Sequence, residues 1–222
     1  LGIPRQVLKY INYPTRFDSS DTQKLLEKAK IRVPQLEDYA WRLWDYWERH
    51  LDPDLFIDRS LSGKVKGSTV LITGGSSGIG RAAAIKVAAA GARTIVVARK
   101  QDELDAVKAE IEKAGGTCFT YSADLAEMPA CDELVKKVLA EHETVDVLIN
   151  NAGRSIRRSV ALSYDRFHDF ERTMGLNYFG SLRLIMGFLP SMTARRRGHI
   201  INISSIGVQA SSPRFSAYVA SK

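Results

Sequence analysis

The chain has 222 residues, of which 45% are hydrophobic and 26% are charged, and its formal net charge is +7. These fractions are typical of globular domains and exclude disordered and fibrous proteins. No apolar run approaches the roughly 18 residues that cross a bilayer, and no basic segment followed by an apolar stretch opens the chain. We therefore expect neither a transmembrane segment nor a signal peptide. The two cysteines do not indicate a disulfide framework, which favours a reducing, cytoplasmic setting.

The positive charge is concentrated in one stretch of the chain. Residues 154–197 carry nine basic and three acidic side chains. Such a stretch can attract nucleic acid, a membrane or a phosphorylated small molecule, or it can be an ordinary solvated face. The sequence has no basic–aromatic repeat, zinc-ligand spacing or helix-turn-helix pattern. We therefore expect neither a nucleic-acid partner nor a metal site.

Residues 1–60 are predicted to form a helical arm or an interdomain linker. Residues 20–23 read Ser-Asp-Thr-Gln, which has the Ser-x-x-Gln form of a capping box and predicts a helix over 20–30. A second helix is predicted over 36–51, and Asp52-Pro53 should end it. This helix carries Trp41, Trp44 and Trp47 on a broad apolar face. That face fits either packing on a neighbouring domain or one wall of an acyl-chain groove.

In residues 61–222, short strands alternate with helices. The predicted strands cover 69–73, 93–98, 117–121, 145–149 and 199–204. The predicted helices cover 79–90, 102–114, 131–141 and 164–192, and a last one begins near Ser216. This alternation predicts an α/β fold, a doubly wound parallel sheet of the Rossmann type with helices on both faces.

The turn between the first strand and the first helix of this region is rich in glycine. Residues 73–80 read Thr-Gly-Gly-Ser-Ser-Gly-Ile-Gly, a G-x-x-x-G-x-G spacing. Glycine permits a tight turn and lets backbone N–H groups approach a pyrophosphate at a helix N-terminus. The position of the turn within a βαβ unit distinguishes it from an ordinary glycine-rich turn. The predicted cofactor-binding residues of this turn are Gly74, Ser76, Ser77, Gly78, Ile79 and Gly80.

The second strand ends in Ala98-Arg99. An NAD site usually places a carboxylate near this position to bind the ribose 2′-hydroxyl. Ala98 would not repel a 2′-phosphate, and Arg99 offers that phosphate a bidentate partner. The sequence therefore predicts NADP(H) rather than NAD as cofactor. The alternative is that Arg99 is a solvated loop residue.

Residues 218–222 form a Tyr-x-x-x-Lys motif. Because positions i and i+4 of a helix share a face, Lys222 can stabilise the phenolate form of Tyr218 and make that side chain a usable proton donor. Ser204 and Ser205 lie 14 and 13 residues upstream, where a strand ends. The carboxyl end of a strand is where an open α/β sheet binds its ligand.

These motifs together resemble the short-chain dehydrogenase/reductase family. The resemblance covers residues 61–222, in the family's order and at its spacing. The matching residues are Thr73-Gly74-x-x-x-Gly78-x-Gly80, Asp124-Leu125, Asn150-Asn151-Ala152-Gly153, Asn177, Ser205 and Tyr218-x-x-x-Lys222.

The resemblance implies a role for each catalytic residue. Tyr218 is expected to be the catalytic acid/base, and Lys222 to bind the nicotinamide ribose and tune Tyr218. Ser205 is expected to hydrogen-bond the substrate carbonyl oxygen, and Asn177 to anchor a proton-relay water. The expected cofactor contacts are Asp124 beside the adenine, together with Leu125, Asn151, Ala152, Gly153, Tyr218 and Lys222.

A closer likeness is to bacterial fatty acyl-CoA reductases that form fatty aldehydes. It rests on the segments 151–158, 167–174 and 203–208, and residues 39–54 are similar to the link that precedes such a domain in two-domain enzymes. This likeness implies NADPH-dependent reduction of a long-chain acyl-CoA. The alternatives are reduction of a fatty aldehyde, a 3-oxoacyl thioester or a ketone, or a non-catalytic NADPH-binding module.

The residues are compatible with a CoA ester, which is a polyanion. Arg154, Arg157 and Arg158 follow the predicted strand end at Gly153, and we expect them to hold its phosphates, the alternative being a solvated loop. Arg195–Arg197 should lie at the opposite edge of the sheet. Neither Cys118 nor Cys131 is placed beside a base, so hydride should reach the thioester directly, without a covalent enzyme intermediate.

The family continues beyond the lysine of its Tyr-x-x-x-Lys motif, whereas this sequence stops at Lys222. We therefore expect a fragment with an incomplete sheet. By the same resemblance we expect a homo-oligomer, a small-molecule substrate and, in the complete polypeptide, an upstream reductase domain.

Overall fold

The computed structural model describes residues 18–50 and 58–222. They fall into two units, Leu1–Ile57 and Asp58–Lys222, and each unit is described by itself. Within the described residues, no helix is both long enough and apolar enough to span a membrane.

The described part of the first unit contains two helices, α1 (Ser20–Lys28) and α2 (Leu36–His50). The predicted capping box is wrong, because Ser19 is the N-cap and Gln23 donates from Nε2 to Ser19 Oγ at 3.2 Å. Helix α1 also ends before the predicted Lys30, which adopts a positive φ of 57°. Helix α2 begins as predicted and exposes its three tryptophans. The predicted stop at Asp52-Pro53 lies outside the described residues.

The second unit is built on five parallel strands in the order β3-β2-β1-β4-β5. The strands are β1 (Thr69–Thr73), β2 (Arg93–Ala98), β3 (Thr117–Ser122), β4 (Val147–Asn150) and β5 (His199–Asn202). The predicted bounds of β1 and β2 are confirmed. Strand β5 is two residues shorter than predicted, since Ser205 already caps the helix that follows.

Helices cover both faces of this sheet. They are α3 (Leu61–Val65), α4 (Gly78–Ala89), α5 (Gln101–Lys113), α6 (Met128–His142), α7 (Phe167–Met174), α8 (Ser181–Ala194), α9 (Ile206–Ala210) and α10 (Ser216–Ser221). Side chains of α6 and α8, such as Leu134 and Phe188, pack on one face, and those of α4 and α5, such as Ala84 and Leu104, pack on the other. The predicted doubly wound α/β fold is confirmed.

The helical stretch predicted over 164–192 is helical from Phe167 onward, but it is not one uninterrupted α-helix. Residues 160–162 form a 3₁₀ turn, α7 begins only at Phe167, and a π-helical turn over Gly175–Gly180 separates α7 from α8. Gly180 packs directly against the carbonyl of Leu125, where any Cβ would overlap the oxygen. A π turn inside a helix commonly marks a functional position, and this one contains Asn177.

The order of the strands places the ligand crevice. The chain builds outward from β1 to β2 and β3, and then returns to place β4 on the other side of β1. Where the winding direction reverses, the loops after two adjacent strands diverge and leave a crevice at their carboxyl ends. Those ends are Thr73 and Asn150.

A buried polar network lies away from this crevice, between β2, β3 and the end of α6. The His142 ring is 5% exposed and has Arg93 Nη2 3.3 Å from Nδ1 and the Tyr121 hydroxyl 2.7 Å from Nε2. Tyr121 in turn donates to Glu141 at 2.6 Å. A neutral ring protonated on Nε2 satisfies all three contacts. Burial, with the nearby Arg93 charge, lowers the pKa of His142 below its ordinary value of 6.5.

This network predicts a loss of stability in mild acid. Below about pH 6.5 the unfolded chain takes up a proton on His142 that the folded chain resists, so the free energy of unfolding should fall by up to about 1.4 kcal/mol per pH unit. In His142→Gln this contribution should be absent. Urea denaturation at about pH 7.5 and about pH 5.5 measures it. Equal pH dependence in the two proteins would contradict the assignment.

Candidate functional site

The carboxyl ends of β1 and β4 are held together by the side chain of Thr73, which is 1% exposed. Its Oγ1 accepts hydrogen bonds from the backbone N–H groups of Asn151 at 3.0 Å and Ala152 at 2.9 Å. The hydroxyl also lies 3.4 Å from the carbonyl of Ile149 and can donate to it. One buried hydroxyl therefore fixes the backbone of the turn that leaves β4.

Asn151 ties the same turn to the glycine-rich segment. Its Nδ2 donates to the carbonyls of Thr73 at 2.9 Å and Gly74 at 3.2 Å. Gly74 has a φ of +63°, which favours glycine. A Cβ at Gly80 would overlap the Gly74 carbonyl and lie 2.5 Å from Asn151 Nδ2. The glycines thus let two turns and the start of α4 pack against one another.

A cleft of about 350 Å³ opens above these turns. It is lined by Gly74, Ser76, Ser77, Val97, Ala98, Arg99, Lys100, Glu103, Ala123, Leu125, Asn151, Ala152, Gly153 and Leu176. Eight of the predicted cofactor residues are therefore brought together here. Gly78, Ile79 and Gly80 form the first turn of α4. The Asp124 carboxylate accepts from the Ala126 N–H at 3.0 Å.

The cleft suits a dinucleotide phosphate in three respects. The N-terminus of α4 faces the glycine-rich turn and has no acidic residue in its first turn. The positions of Gly74 and Gly80 leave no room for a side chain. The Arg99 side chain is exposed and makes no hydrogen bond or ion pair with another described residue, so its guanidinium remains available for an anion.

A carboxylate in the same corner of the cleft, that of Glu103, was not predicted from the sequence. Glu103 accepts from Lys100 Nζ at 2.7 Å and from Ser76 Oγ at 2.9 Å. Both bonds hold the pKa of the Glu103 carboxyl below its usual range, the bond from Lys100 most strongly. The contact with Ser76 joins residues 27 positions apart, which no local pattern reveals. The three-residue spacing of Lys100 and Glu103 on one helix face was the only available signal.

Asn177 lies in the π-helical turn and is 6% exposed. Its Oδ1 accepts from the Arg154 N–H at 2.8 Å, and its Nδ2 donates to the Arg154 carbonyl at 2.9 Å. Nδ2 also donates to Ser221 Oγ at 2.7 Å. The side chain therefore connects the segment after β4 to the end of α10.

The Lys222 side chain lies near Gly153, close to the Asn177 side chain. Its Nζ donates to the carbonyl of Ile203 at 2.8 Å, and burial lowers the pKa of the ammonium. A Cβ built on Gly153 would lie 3.0 Å from Lys222 Nζ and 3.4 Å from Asn177 Oδ1. Two predicted catalytic side chains thus converge on Gly153, which itself lines the cleft.

Ser205 is the N-cap of α9, and Tyr218 lies in α10; neither residue lines the cleft. Ser205 caps α9, and its Oγ accepts from the Gly207 N–H at 3.1 Å, which leaves the hydroxyl hydrogen free to donate. A Cβ on Gly207 would lie 3.5 Å from Val219, so α9 packs on α10 beside the cap. The half-buried Tyr218 side chain makes no hydrogen bond with another described residue through its hydroxyl. Ser204 instead donates to the Lys222 carbonyl at 3.3 Å.

The arginines expected to hold CoA phosphates are not equivalent. Arg158 Nε lies 3.2 Å from Asp169, a carboxylate that is 4% exposed and also binds Arg166. The Arg158 side chain is therefore paired with a carboxylate of the fold, and its contact with a CoA phosphate stays a prediction. Arg157 lies over the Phe215 ring at 5.9 Å. Arg195 binds Asp146 at 2.9 Å, just before β4, which confirms its place at the opposite edge of the sheet.

The geometry predicts that the Thr73 hydroxyl sets the stability of the site. Thr73→Val leaves two N–H groups without their acceptor and should lower the free energy of unfolding by about 1–3 kcal/mol. Thr73→Ser keeps the acceptor and should lose much less. Chemical denaturation of both variants compares them. A loss in Thr73→Ser as large as that in Thr73→Val would contradict the assignment, because Thr73→Ser keeps the oxygen and removes only the methyl group.

Comparison with known proteins gives consistent matches. The sequence profile of the family described as short chain dehydrogenase matches residues 68–222. A fatty acyl-CoA reductase of Acinetobacter baylyi is 59% identical over 158 residues, which are 71% of this chain and 54% of that protein. A Mycobacterium tuberculosis protein described only as an oxidoreductase is 54% identical over 91% of this chain and 61% of its own length. A fatty acyl-CoA reductase of the same organism is 48% identical over 175 residues, which are 78% of this chain and 60% of that protein.

Solved structures agree with these matches. A metagenomic short-chain oxidoreductase in complex with NADP is 36% identical, with a TM-score of 0.68 over 71% of each chain. A 3-oxoacyl-(acyl-carrier-protein) reductase from Agrobacterium tumefaciens with NADP bound is 31% identical, with a TM-score of 0.69 over 75% of this chain and 64% of that one. The chain spans between half and two thirds of the length of the curated relatives described above.

Proposed function

The chain belongs to the short-chain dehydrogenase family, and from that membership and the geometry of its site we propose that it reduces a fatty acyl-CoA to a fatty aldehyde with NADPH. The observation that carries the proposal is the convergence of Lys222 and Asn177 on Gly153, at the end of the dinucleotide cleft. The relatives named fatty acyl-CoA reductase, at 59% and 48% identity, favour the acyl-CoA substrate.

The proposed cofactor contacts follow from the lining of the cleft. The turn at Gly74 and the N-terminus of α4 would hold the pyrophosphate, and Arg99 would hold the 2′-phosphate. Lys222 would hold the nicotinamide ribose. When bound, the reduced nicotinamide supplies a hydride. Asn151 and Thr73 act indirectly, by fixing the turns that these contacts require.

The remaining residues would handle the substrate oxygen and the proton. Ser205 has a free hydroxyl hydrogen and would donate it to the thioester carbonyl, while Tyr218 donates to the same oxygen from α10. As hydride adds to the carbonyl carbon, negative charge develops on this oxygen, and these two hydroxyls stabilise it. Collapse then breaks the carbon–sulfur bond. The aldehyde leaves, and Tyr218 would supply the proton that the CoA thiolate takes up.

The cysteines support direct transfer to the thioester. Burial raises the pKa of Cys118 to about 11 and that of Cys131 to about 11. Both thiols therefore remain protonated near neutral pH and are poor nucleophiles. An acyl-enzyme formed on either cysteine is not part of the proposal.

A 3-oxoacyl thioester is the second candidate substrate. It is favoured by the structural likeness to the NADP-bound 3-oxoacyl reductase of A. tumefaciens. A non-catalytic NADPH-binding module is disfavoured, because such a module needs only the glycine-rich turn, whereas Asn177, Ser205, Tyr218 and Lys222 are all present. The cytoplasmic setting, the homo-oligomer and an upstream reductase domain stay predictions.

The proposal predicts cofactor discrimination by one arginine. Arg99→Ala should weaken NADPH binding about tenfold to a hundredfold, because a charge-assisted bidentate contact contributes roughly 1.5–3 kcal/mol. NADH binding should change little. Arg81→Ala is the matched control, since Arg81 pairs with Glu110 away from the cleft. Fluorescence titration of both cofactors measures the effect, and equal losses for NADPH and NADH would remove Arg99 from the 2′-phosphate site.

The proposal also predicts that Tyr218→Phe abolishes turnover of acyl-CoA in the full-length protein while NADPH still binds. The phenol supplies the proton, and the ring alone preserves the packing on Phe215. Tyr164→Phe is the control, because Tyr164 is 85% exposed. Steady-state assays and cofactor titration compare the variants. Substantial activity in Tyr218→Phe would show that another group is the acid.

A further inference from the structure

Glu103 lies where a 2′-phosphate would have to bind if the proposed cofactor assignment holds. It is near the start of α5, and it lines the same cleft as Arg99. Its Oε1 accepts a hydrogen bond from Lys100 Nζ at 2.7 Å, and its Oε2 accepts one from Ser76 Oγ at 2.9 Å. It is also the one acidic side chain among the described residues that line the cleft.

The two groups that donate hydrogen bonds to Glu103 are of the kind that bind phosphate. An ammonium and a hydroxyl beside a guanidinium form a cationic corner with several hydrogen-bond donors. A carboxylate in this corner offsets one positive charge and engages two of the donors. A phosphate monoester carries about −1.5 to −2 charges near neutral pH and would be repelled by that carboxylate. A ribose 2′-hydroxyl, in contrast, can donate to it.

We propose that Glu103 limits the preference for NADPH by competing with the 2′-phosphate for Lys100 and Ser76. Arg99 makes the corner selective for the phosphate, and Glu103 moderates that selectivity. The inference rests on the proposed NADPH-dependent function, because it concerns the same half of the cofactor. It makes Glu103 a specificity-determining residue rather than a catalytic one.

The test uses two nucleotides that differ only in the 2′-phosphate, adenosine 2′,5′-bisphosphate and adenosine 5′-monophosphate. Calorimetric titration of the full chain measures both affinities without involving the nicotinamide half of the site. Glu103→Gln should tighten binding of the bisphosphate about threefold to tenfold, the range expected for a partly exposed charge interaction. Binding of the monophosphate should stay the same or weaken.

Two further variants separate competition from a general change of charge. Asp105→Asn removes one negative charge from the same helix, but Asp105 is exposed and, among the residues that the structure describes, its side chain bonds only to Gln101. It should leave both affinities unchanged. Lys100→Met removes the donor for which the two anions compete. In that background the gain from Glu103→Gln should shrink, because the interaction between neighbouring sites is not additive.

The outcomes distinguish this inference from the proposed function. If the wild-type chain binds the monophosphate as tightly as the bisphosphate, the NADPH assignment itself is wrong. If the wild type prefers the bisphosphate but Glu103→Gln leaves that preference unchanged or weakens it, Glu103 does not compete and only this inference is overturned. The same holds if Asp105→Asn has an equal effect.

Discussion

The hydrogen bonds that Thr73 accepts from Asn151 and Ala152 are the constraint on which the site depends. A doubly wound sheet opens a crevice where its winding reverses, but the crevice alone leaves two loops free to separate. Here a buried hydroxyl at the end of β1 fixes the turn after β4. The Asn151 side chain donates a hydrogen bond to the carbonyl of Gly74 in the glycine-rich turn. Gly153, which lines the cleft, then lies beside Lys222 and Asn177, so the cleft and the two predicted catalytic side chains adjoin.

Charge in the cleft is balanced more closely than its sequence indicates. Ala98 and Arg99 favour binding of an anion, because neither residue carries a negative charge that would repel it. The Glu103 carboxylate, on α5, adds a negative charge to the cleft and accepts hydrogen bonds from Lys100 and Ser76. A similar correction applies to the basic stretch 154–197. Arg158 and Arg166 bind the buried Asp169, and Arg195 binds Asp146. These three of the nine basic side chains of this stretch are therefore paired with carboxylates of the fold.

The sequence predicted those features that arise from local pattern. The alternation of short strands with helices identified β1 and β2 to the residue, and both strands have an apolar centre because both faces of the sheet are covered. The glycine spacing identified one wall of the cleft. The π-helical turn within the stretch 164–192 was not predicted, because it depends on packing: Gly180 must approach Leu125, and Asn177 is bound by Arg154 and Ser221. Glu103 was missed for the same reason, since its contact with Ser76 exists only after β1 and β2 pair and bring α5 to the glycine-rich turn.

The proposed reaction at this site is hydride transfer to a thioester whose oxygen is held by Ser205 and Tyr218. The most direct measurement is NADPH oxidation by the full-length protein with palmitoyl-CoA, with palmitaldehyde and with a 3-oxoacyl thioester in parallel, together with detection of free CoA. We expect oxidation of NADPH with palmitoyl-CoA and release of one CoA for each aldehyde formed. Oxidation with the 3-oxoacyl thioester alone, and no release of CoA from palmitoyl-CoA, would contradict it.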